Sequence, residues 1–321
     1  MTDLRNGKEP QNCNHISNGV KSEEWEEVVI PVPWGKVAGK WWGSRDKQPV
    51  LALHGWQDNA GTFDKLIPLL TKDISFLAID LPGHGKSSHY PPGMQYFIFW
   101  DGVTLIRRIV KHFNWKKVAL MGHSLGGALS FIYAASFPNE VSQLISLDIA
   151  GPTVRDQKSL AAATGGCIDK FLDYENLNID NLPCYEYQEM IDLVVDAYDG
   201  SVDEAGVKIL MKRGMAPLPK EANKSGYCFA RDVRLKVSMM GMFTTEQVLS
   251  YAERIKCQVL NIRAEPGMKF QKPEVYEMVI EAMRRNAECV IYKKVPGTHH
   301  VHLLNPERIA SDIDDFLHEM I

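Results

Sequence analysis

No uninterrupted apolar run in this 321-residue chain approaches the roughly 20 residues that cross a bilayer. The stretch Met1 to Glu24 is rich in Asn, Lys and Glu and holds no apolar core of the kind a secretory signal requires. The last residues, Glu319-Met320-Ile321, do not form a Ser-Lys-Leu address. The expected location is therefore the cytoplasm. Six cysteines, Cys13, Cys167, Cys184, Cys228, Cys257 and Cys289, show neither CxxC spacing nor a compact framework. That argues against a zinc site and a disulfide-stapled secreted domain, and reads them as reduced thiols. The formal net charge is -4 and no polybasic segment is present, so neither nucleic acid nor an acidic lipid surface is an expected partner. The GxxxxGK[ST] spacing of a phosphate loop is missing as well. The glycine-rich stretch Asp80-Leu81-Pro82-Gly83-His84-Gly85-Lys86-Ser87 reads as a structural turn after a strand.

What is present is ordinary globular material, 45% hydrophobic and 24% charged, in a length that suits two domains or one large domain with an insertion. Residues 1–24 carry little to bury and are expected to be a disordered tail. Val28 to Val32 and Lys36 to Trp41 flank Pro33-Trp34-Gly35, which predicts an antiparallel hairpin at the edge of a sheet. Short apolar strands then alternate with helical patterns: Val50 to Leu53, a helix over Ala60 to Leu70, Ile74 to Ile79, a helix from Phe97 to Phe113, Val118 to Met121, a helix from Gly126, and Val141 to Ile149. Such alternation predicts βαβ units and a largely parallel sheet covered on both faces. Residues 152–245 break the rhythm with helical stretches such as Tyr187 to Tyr198 and Val202 to Lys212, and read as an inserted helical cap. The α/β pattern of 25–151 resumes over 246–321 with Val259 to Ile262, a helix near Glu274 to Arg285, Cys289 to Lys293, and a last helix capped by Asn305-Pro306.

Gly122-His123-Ser124-Leu125-Gly126 joins the strand at Val118 to a helix, and a serine at so sharp a corner is presented as a nucleophile. Its hydroxyl needs an imidazole to take the proton and a carboxylate to orient that imidazole. The histidine is expected in Gly297-Thr298-His299-His300-Val301-His302, where His299 stands nearest the end of the last strand. His300 and His302 read as packing or surface residues. Two acids compete for the third place: Asp148, ending the strand after the nucleophile helix, and Glu265, just past the strand 259–262. Asp148 sits in an apolar stretch where a carboxylate is costly unless a partner holds it. The amides of Leu125 and, after an earlier strand, Trp56 are the expected oxyanion donors. His54 reads as ordering its loop, and Asp58 or Asn59 as a helix N-cap. Arg231-Asp232-Val233-Arg234 reads as an internal salt-bridge set at a hinge, with binding of an anionic substrate group as the alternative. Met211, Met215, Phe229, Met239, Met240 and Phe243 are candidates to face a substrate pocket.

In their order along the chain, His54-Gly55-Trp56, the Asp80 to Ser87 turn, the Gly122 to Gly126 elbow and Gly297-Thr298-His299 resemble the α/β-hydrolase superfamily over almost everything from Trp25 onward. Within it, His54-Gly55-Trp56-Gln57-Asp58-Asn59-Ala60-Gly61-Thr62-Phe63-Asp64 and Phe229-Ala230-Arg231-Asp232-Val233-Arg234-Leu235 look like the serine hydrolase-like proteins of animals, including the kraken-like members of insects. The resemblance implies a mostly parallel eight-stranded sheet, a helical cap and no cofactor. It also implies hydrolysis of a small-molecule ester by water, with lactonase and thioesterase chemistry as neighbours and an idle scaffold used for binding or signalling as the alternative. Many members carry the acid as Gly-x-x-Asp past the penultimate strand. Here Ala264-Glu265-Pro266-Gly267 ends in glycine, and the analogy with members that place the acid after the nucleophile helix points to Asp148. Serine at 124, where dehalogenases and epoxide hydrolases carry aspartate, argues against those two reactions.

Overall fold

The computed structural model describes residues 25–177, 183–218, 224–237 and 241–318. The expected tail over 1–24, and Met239 and Met240, lie outside the described residues. The chain begins with the hairpin, β1 (Trp25–Val32) and β2 (Gly35–Trp42), paired antiparallel from Trp25 with Trp42 to Val32 with Gly35. β3 (Val50–Leu53), β4 (Phe76–Ile79), α1 (Ile98–His112), β5 (Val118–His123), α2 (Leu125–Ser136) and β6 (Val141–Leu147) follow. The next segment holds α3 (Gln157–Glu175), α4 (Tyr187–Ala197), α5 (Glu204–Gly214), the small antiparallel pair β7 (Met215–Pro217) and β8 (Tyr227–Phe229), and α6 (Thr245–Ala252). β9 (Gln258–Gly267), α7 (Pro273–Arg284), β10 (Cys289–Thr298), α8 (Val301–Leu304) and α9 (Ala310–His318) complete it.

Eight strands form one sheet in the order β1-β2-β4-β3-β5-β6-β9-β10, antiparallel where β2 is involved and parallel from β4 through β10. Alternate residues of each strand face opposite sides. Leu51, Leu53, Leu77, Ile79, Leu120 and Leu144 enter a core with α1, α2 and α7, whereas Val50, Ala52, Phe76, Met121, Ile145 and Ile262 enter a second core with α9. The central strands are buried on both faces, which is why they read as continuous apolar runs. The stripe along α1 buries Phe99, Val103, Ile106 and Val110 against the first core, as its 3.6-residue spacing predicts.

Two expectations are corrected. Ala60 to Leu70 is not one helix but two 3-10 turns, Ala60–Phe63 and Ile67–Leu69. Pro68 has no N–H to continue a helix, and Asn59 instead closes the first turn by accepting from Gly61 N–H at 3.0 Å. Asn305 does not cap the last helix: its side chain accepts no cap hydrogen bond, and a 3-10 turn at Pro306–Arg308 precedes α9. β9 and β10 also run farther than expected, and their extra residues bring the loops after them toward the end of β6. Among the described residues, no helix is long and apolar enough to cross a membrane, and Cys167, Cys184, Cys228, Cys257 and Cys289 are free.

Candidate active site

Ser124 occupies the corner between β5 and α2 with φ +50° and ψ -115°, a backbone conformation that a side-chain-bearing residue holds only under strain. The glycines on either side explain how the corner closes. A Cβ at Gly122 would stand 2.2 Å from the carbonyl carbon of Gly126, and one at Gly126 would stand 2.0 Å from the Leu53 carbonyl oxygen. Any larger residue at either place would push α2 off the sheet. Leu125 is the first residue of α2, so its N–H has no carbonyl within the helix to bond.

The histidine reaches the same end of the sheet from β10. His299 Nδ1 donates to Asp148 Oδ2 at 2.7 Å, which leaves its Nε2 lone pair free to act as a base. Asp148 follows β6 directly, also at positive φ (+51°), and is fully buried. Its carboxylate is satisfied by backbone: Oδ1 accepts from Ala264 N–H at 2.8 Å and Oδ2 from Met268 N–H at 2.7 Å. Glu265, the competing acid, turns outward and stands 3.6 Å from exposed Lys294. The glycine at 267 has a physical reason as well. It sits at φ +52°, and a Cβ there would lie 2.7 and 2.8 Å from the two Asp148 oxygens. Position 267, the glycine that ends Ala264-Glu265-Pro266-Gly267, is thus beside a carboxylate already in place.

Ser124, Leu125, Trp56 and His299 all line one cavity of about 570 Å³. Its far wall comes from the segment after β6, through Leu193, Tyr198, Met211 and Phe229. Of the six pocket candidates, Met211 and Phe229 line the cavity, Phe243 is buried in the core with α1, and Met215 is not on the wall. Trp56 ties the two sides together, its indole N–H donating to Leu235 O at 3.0 Å.

Behind Ser124 lies a histidine network that the sequence reading did not anticipate. His123 Nε2 donates to the His299 carbonyl at 2.9 Å, so the residue before the serine anchors the loop carrying His299. His300, read as packing or surface, is buried and donates from Nε2 to Asp58 Oδ2 at 3.2 Å, while its Nδ1 meets Ser201 Oγ at 2.7 Å. Asp58 is not the cap residue that Asn59 proves to be. It accepts from the Tyr198 hydroxyl and from His300, and, against the opposing effect of its burial, these histidine neighbours hold it well below the usual carboxylate range. His302 is buried against Thr62 Oγ1 at 2.7 Å. Asp58, His123 and His300 offer ligand atoms within 4.8 Å of one another, a two-histidine, one-carboxylate set of the type that holds a divalent ion. The expectation of no metal site did not foresee this donor set. The three donors come from the loop after β3, the end of β5 and the loop after β10, so no local spacing in the sequence signals them.

His54 orders its loop: Nε2 accepts from Leu81 N–H at 2.9 Å, so Nδ1–H donates to Gly55 O at 2.7 Å. The Asp80 to Ser87 turn folds inward around the buried Asp80 carboxylate, which accepts from Ala60 N–H and Lys86 N–H, both at 2.8 Å. It offers no cradle to a phosphate. Arg213 of α5 clamps the same carboxylate at 2.6 Å and Glu27 of β1 at 2.8 Å.

Comparison with known proteins agrees with this fold. Residues 48–173 match the sequence model of the alpha/beta hydrolase fold. A probable serine hydrolase of Drosophila melanogaster is 64% identical over 92% of this chain and 89% of its own length. The chain belongs to the serine hydrolase-like family of α/β hydrolases. A serine hydrolase-like protein of Danio rerio from this family is 33% identical over 94% of the chain and 91% of its own length. Among solved structures, a hypothetical protein of Pseudomonas aeruginosa superposes with a TM-score of 0.79 at 27% identity, covering 91% of this chain and 99% of that one. The family's hydrolase character and the eight-stranded sheet therefore apply to this protein.

Proposed function

We propose that this hydrolase cleaves carboxylic esters through an acyl-enzyme, with Ser124 as nucleophile, His299 as base and Asp148 as the acid that orients it. His299 Nε2 takes the Ser124 proton as Oγ attacks the ester carbonyl. The oxyanion that forms is held by the Leu125 and Trp56 N–H groups. The imidazolium gives its proton to the departing alcohol, and water, deprotonated by the same nitrogen, releases the acid. Asp148 keeps the Nδ1–H tautomer throughout. Residues 152–245 serve as a helical cap over the cavity. The observation that carries this reading is the 2.7 Å bond between His299 and a buried, backbone-braced Asp148, on the same cavity wall as a serine at a strained corner. Lactones and thioesters present the same carbonyl chemistry to the same groups.

A fluorophosphonate probe is expected to label the wild-type protein at Ser124 and to leave Ser124→Ala unlabelled, with p-nitrophenyl ester turnover lost in the same variant. Absence of labelling in the wild type would reject the esterase reading in favour of a binding scaffold. Gly267→Ala supplies a second check on the acid. Its Cβ would meet the Ala264 carbonyl oxygen at 2.3 Å and both Asp148 oxygens, so the braced carboxylate must shift against His299, and a displacement of about 1 Å costs on the order of 10²-fold in turnover. Full activity in a folded Gly267→Ala protein would show that Asp148 does not orient the base.

A further inference from the structure

The arginines of the segment after β6 differ in how they are satisfied. Arg213 is saturated by Asp80 and Glu27. Arg234 is saturated by Asp232, at 2.7 Å, and by the carbonyls of Tyr90, Pro91 and Met94. The Arg234–Asp232 pair is the internal salt bridge expected within the Arg231 to Arg234 cluster. Arg231 does not join it. Among the described residues, no carboxylate stands within ion-pair distance of it and no carbonyl accepts from it. Its guanidinium lies over the Phe229 ring, Cζ 3.9 Å from the centroid, and both residues line the cavity that holds Ser124 and His299. Stacking engages the face of the guanidinium plane and leaves its N–H edge unspent.

Among the described residues, neither carboxylate of the wall pairs with it. Asp58 is committed to Tyr198 and His300, and Asp199 pairs with Lys269 at 3.6 Å. Burial pushes the Arg231 pKa down, the sign of a charge removed from water without full compensation. The other cations at this cavity, Arg155 and Lys269, are exposed and stand in solvent. Apolar side chains, among them Ile98, Phe99, Ile149, Leu193, Met211 and Met268, make up much of the remaining wall, beside neutral polar groups such as Asn59, Thr153 and Ser201. A half-buried guanidinium with a free edge, in a largely apolar cavity, is a costly arrangement unless a ligand completes it. A planar fork of N–H donors matches a carboxylate in two parallel hydrogen bonds.

We propose that Arg231 anchors an ionised carboxylate of the substrate, so that the ester cleaved at Ser124 is an acidic one, such as the monoester of a dicarboxylic acid. This rests on the ester reading for the bond cleaved, but the anion site itself does not. Wild-type protein is expected to favour p-nitrophenyl hemiglutarate over p-nitrophenyl valerate, an acyl chain of the same length without the charge, by about 10- to 100-fold in kcat/KM. Arg231→Gln is expected to lower kcat/KM for hemiglutarate about 10- to 100-fold more than for valerate, erasing the preference, and Arg231→Lys restores part of it. Equal or better use of valerate by the wild type, or equal loss of both activities in Arg231→Gln, overturns the proposal. Calorimetric titration with glutarate is independent of turnover. Binding by the wild type that disappears in Arg231→Gln supports the anion site even if neither ester is cleaved and the ester reading fails. No binding of glutarate to the wild type, or equal binding to both, overturns the site even if valerate is hydrolysed.

Discussion

Asp148→Asn is expected to lower kcat/KM for a p-nitrophenyl ester by about 10⁴-fold, whereas Glu265→Gln should leave it within about twofold. Both effects are read by steady-state kinetics on proteins shown to be folded by circular dichroism. Three N–H groups converge on the Asp148 carboxylate, from Ala264, Met268 and His299, each at 2.7 or 2.8 Å. A carboxylate accepts on both sides, but an asparagine offers one acceptor oxygen and one donor NH₂. In either orientation the amide NH₂ faces an N–H. If it faces Ala264, a buried backbone donor is left unsatisfied at a cost of about 1–3 kcal/mol. If it faces His299 and Met268, the imidazole must move its proton to Nε2, where it can no longer accept from Ser124. The second orientation strands the Met268 N–H as well, and the mixed population of the two is catalytically poor. Glu265 makes one exposed 3.6 Å contact with Lys294, on a side chain that water screens. Comparable losses in the two variants would reject Asp148 as the orienting acid.

Acidification from pH 7 to pH 5 is expected to destabilise the protein steeply, with the calorimetric melting temperature falling once the pH drops below about 6.5. His54, His84, His123 and His302 are all buried, and burial, the leading cause in each case, drives their pKa values below the ordinary 6.5: His84 and His123 to about 3, His302 well below, and His54 downward. The hydrogen bonds keep at least two of these rings neutral by design. His84 Nε2 accepts from Gln57 N–H at 3.2 Å, and His54 Nε2 accepts from Leu81 N–H, so protonating either ring would set donor against donor. With folded values depressed, the unfolded chain takes up protons first. The stability these rings contribute is complete above pH 6.5 and is lost as pH falls toward the folded values. Each ring contributes a slope of up to slightly more than 1 kcal/mol per pH unit, about the energy of one pKa unit. His84→Gln or His302→Gln should flatten the profile in proportion. A melting temperature unchanged between pH 7 and pH 5 would show that these rings are not held neutral in the folded state.

The parallel sheet was legible because its central strands are buried on both faces, so Val50 to Leu53 and Val118 to Met121 read as unbroken apolar runs bounded by glycine and polar residues. The elbow was legible because close packing there leaves room for glycine alone at 122 and 126, and a steric requirement of that kind is written in residue type. Ala60 to Leu70 was misread because its apolar spacing satisfies a helix while Pro68 forbids its hydrogen bonds. The packing of Phe63 and Leu66 into the second core is compatible with two short turns. Asp58 looked like a cap because caps and buried network acids share a residue type and a loop setting. What separates them is whether a partner arrives from elsewhere in the chain, and Tyr198 and His300 lie 140 and 242 residues away.

The succession of strands, the corner at Ser124 and the loop that supplies His299 follow from residue types alone, because each depends on burial or backbone geometry set by neighbours along the chain. Which carboxylate meets His299, which histidines stand behind Ser124, and which arginine in Arg231-Asp232-Val233-Arg234 lines the cavity without an ion-pair partner emerge only on folding. Those outcomes rest on contacts between segments distant in sequence. A carboxylate or guanidinium carries the same chemistry wherever it stands, and its partners are set by how β6, β9, β10 and the helices between them pack.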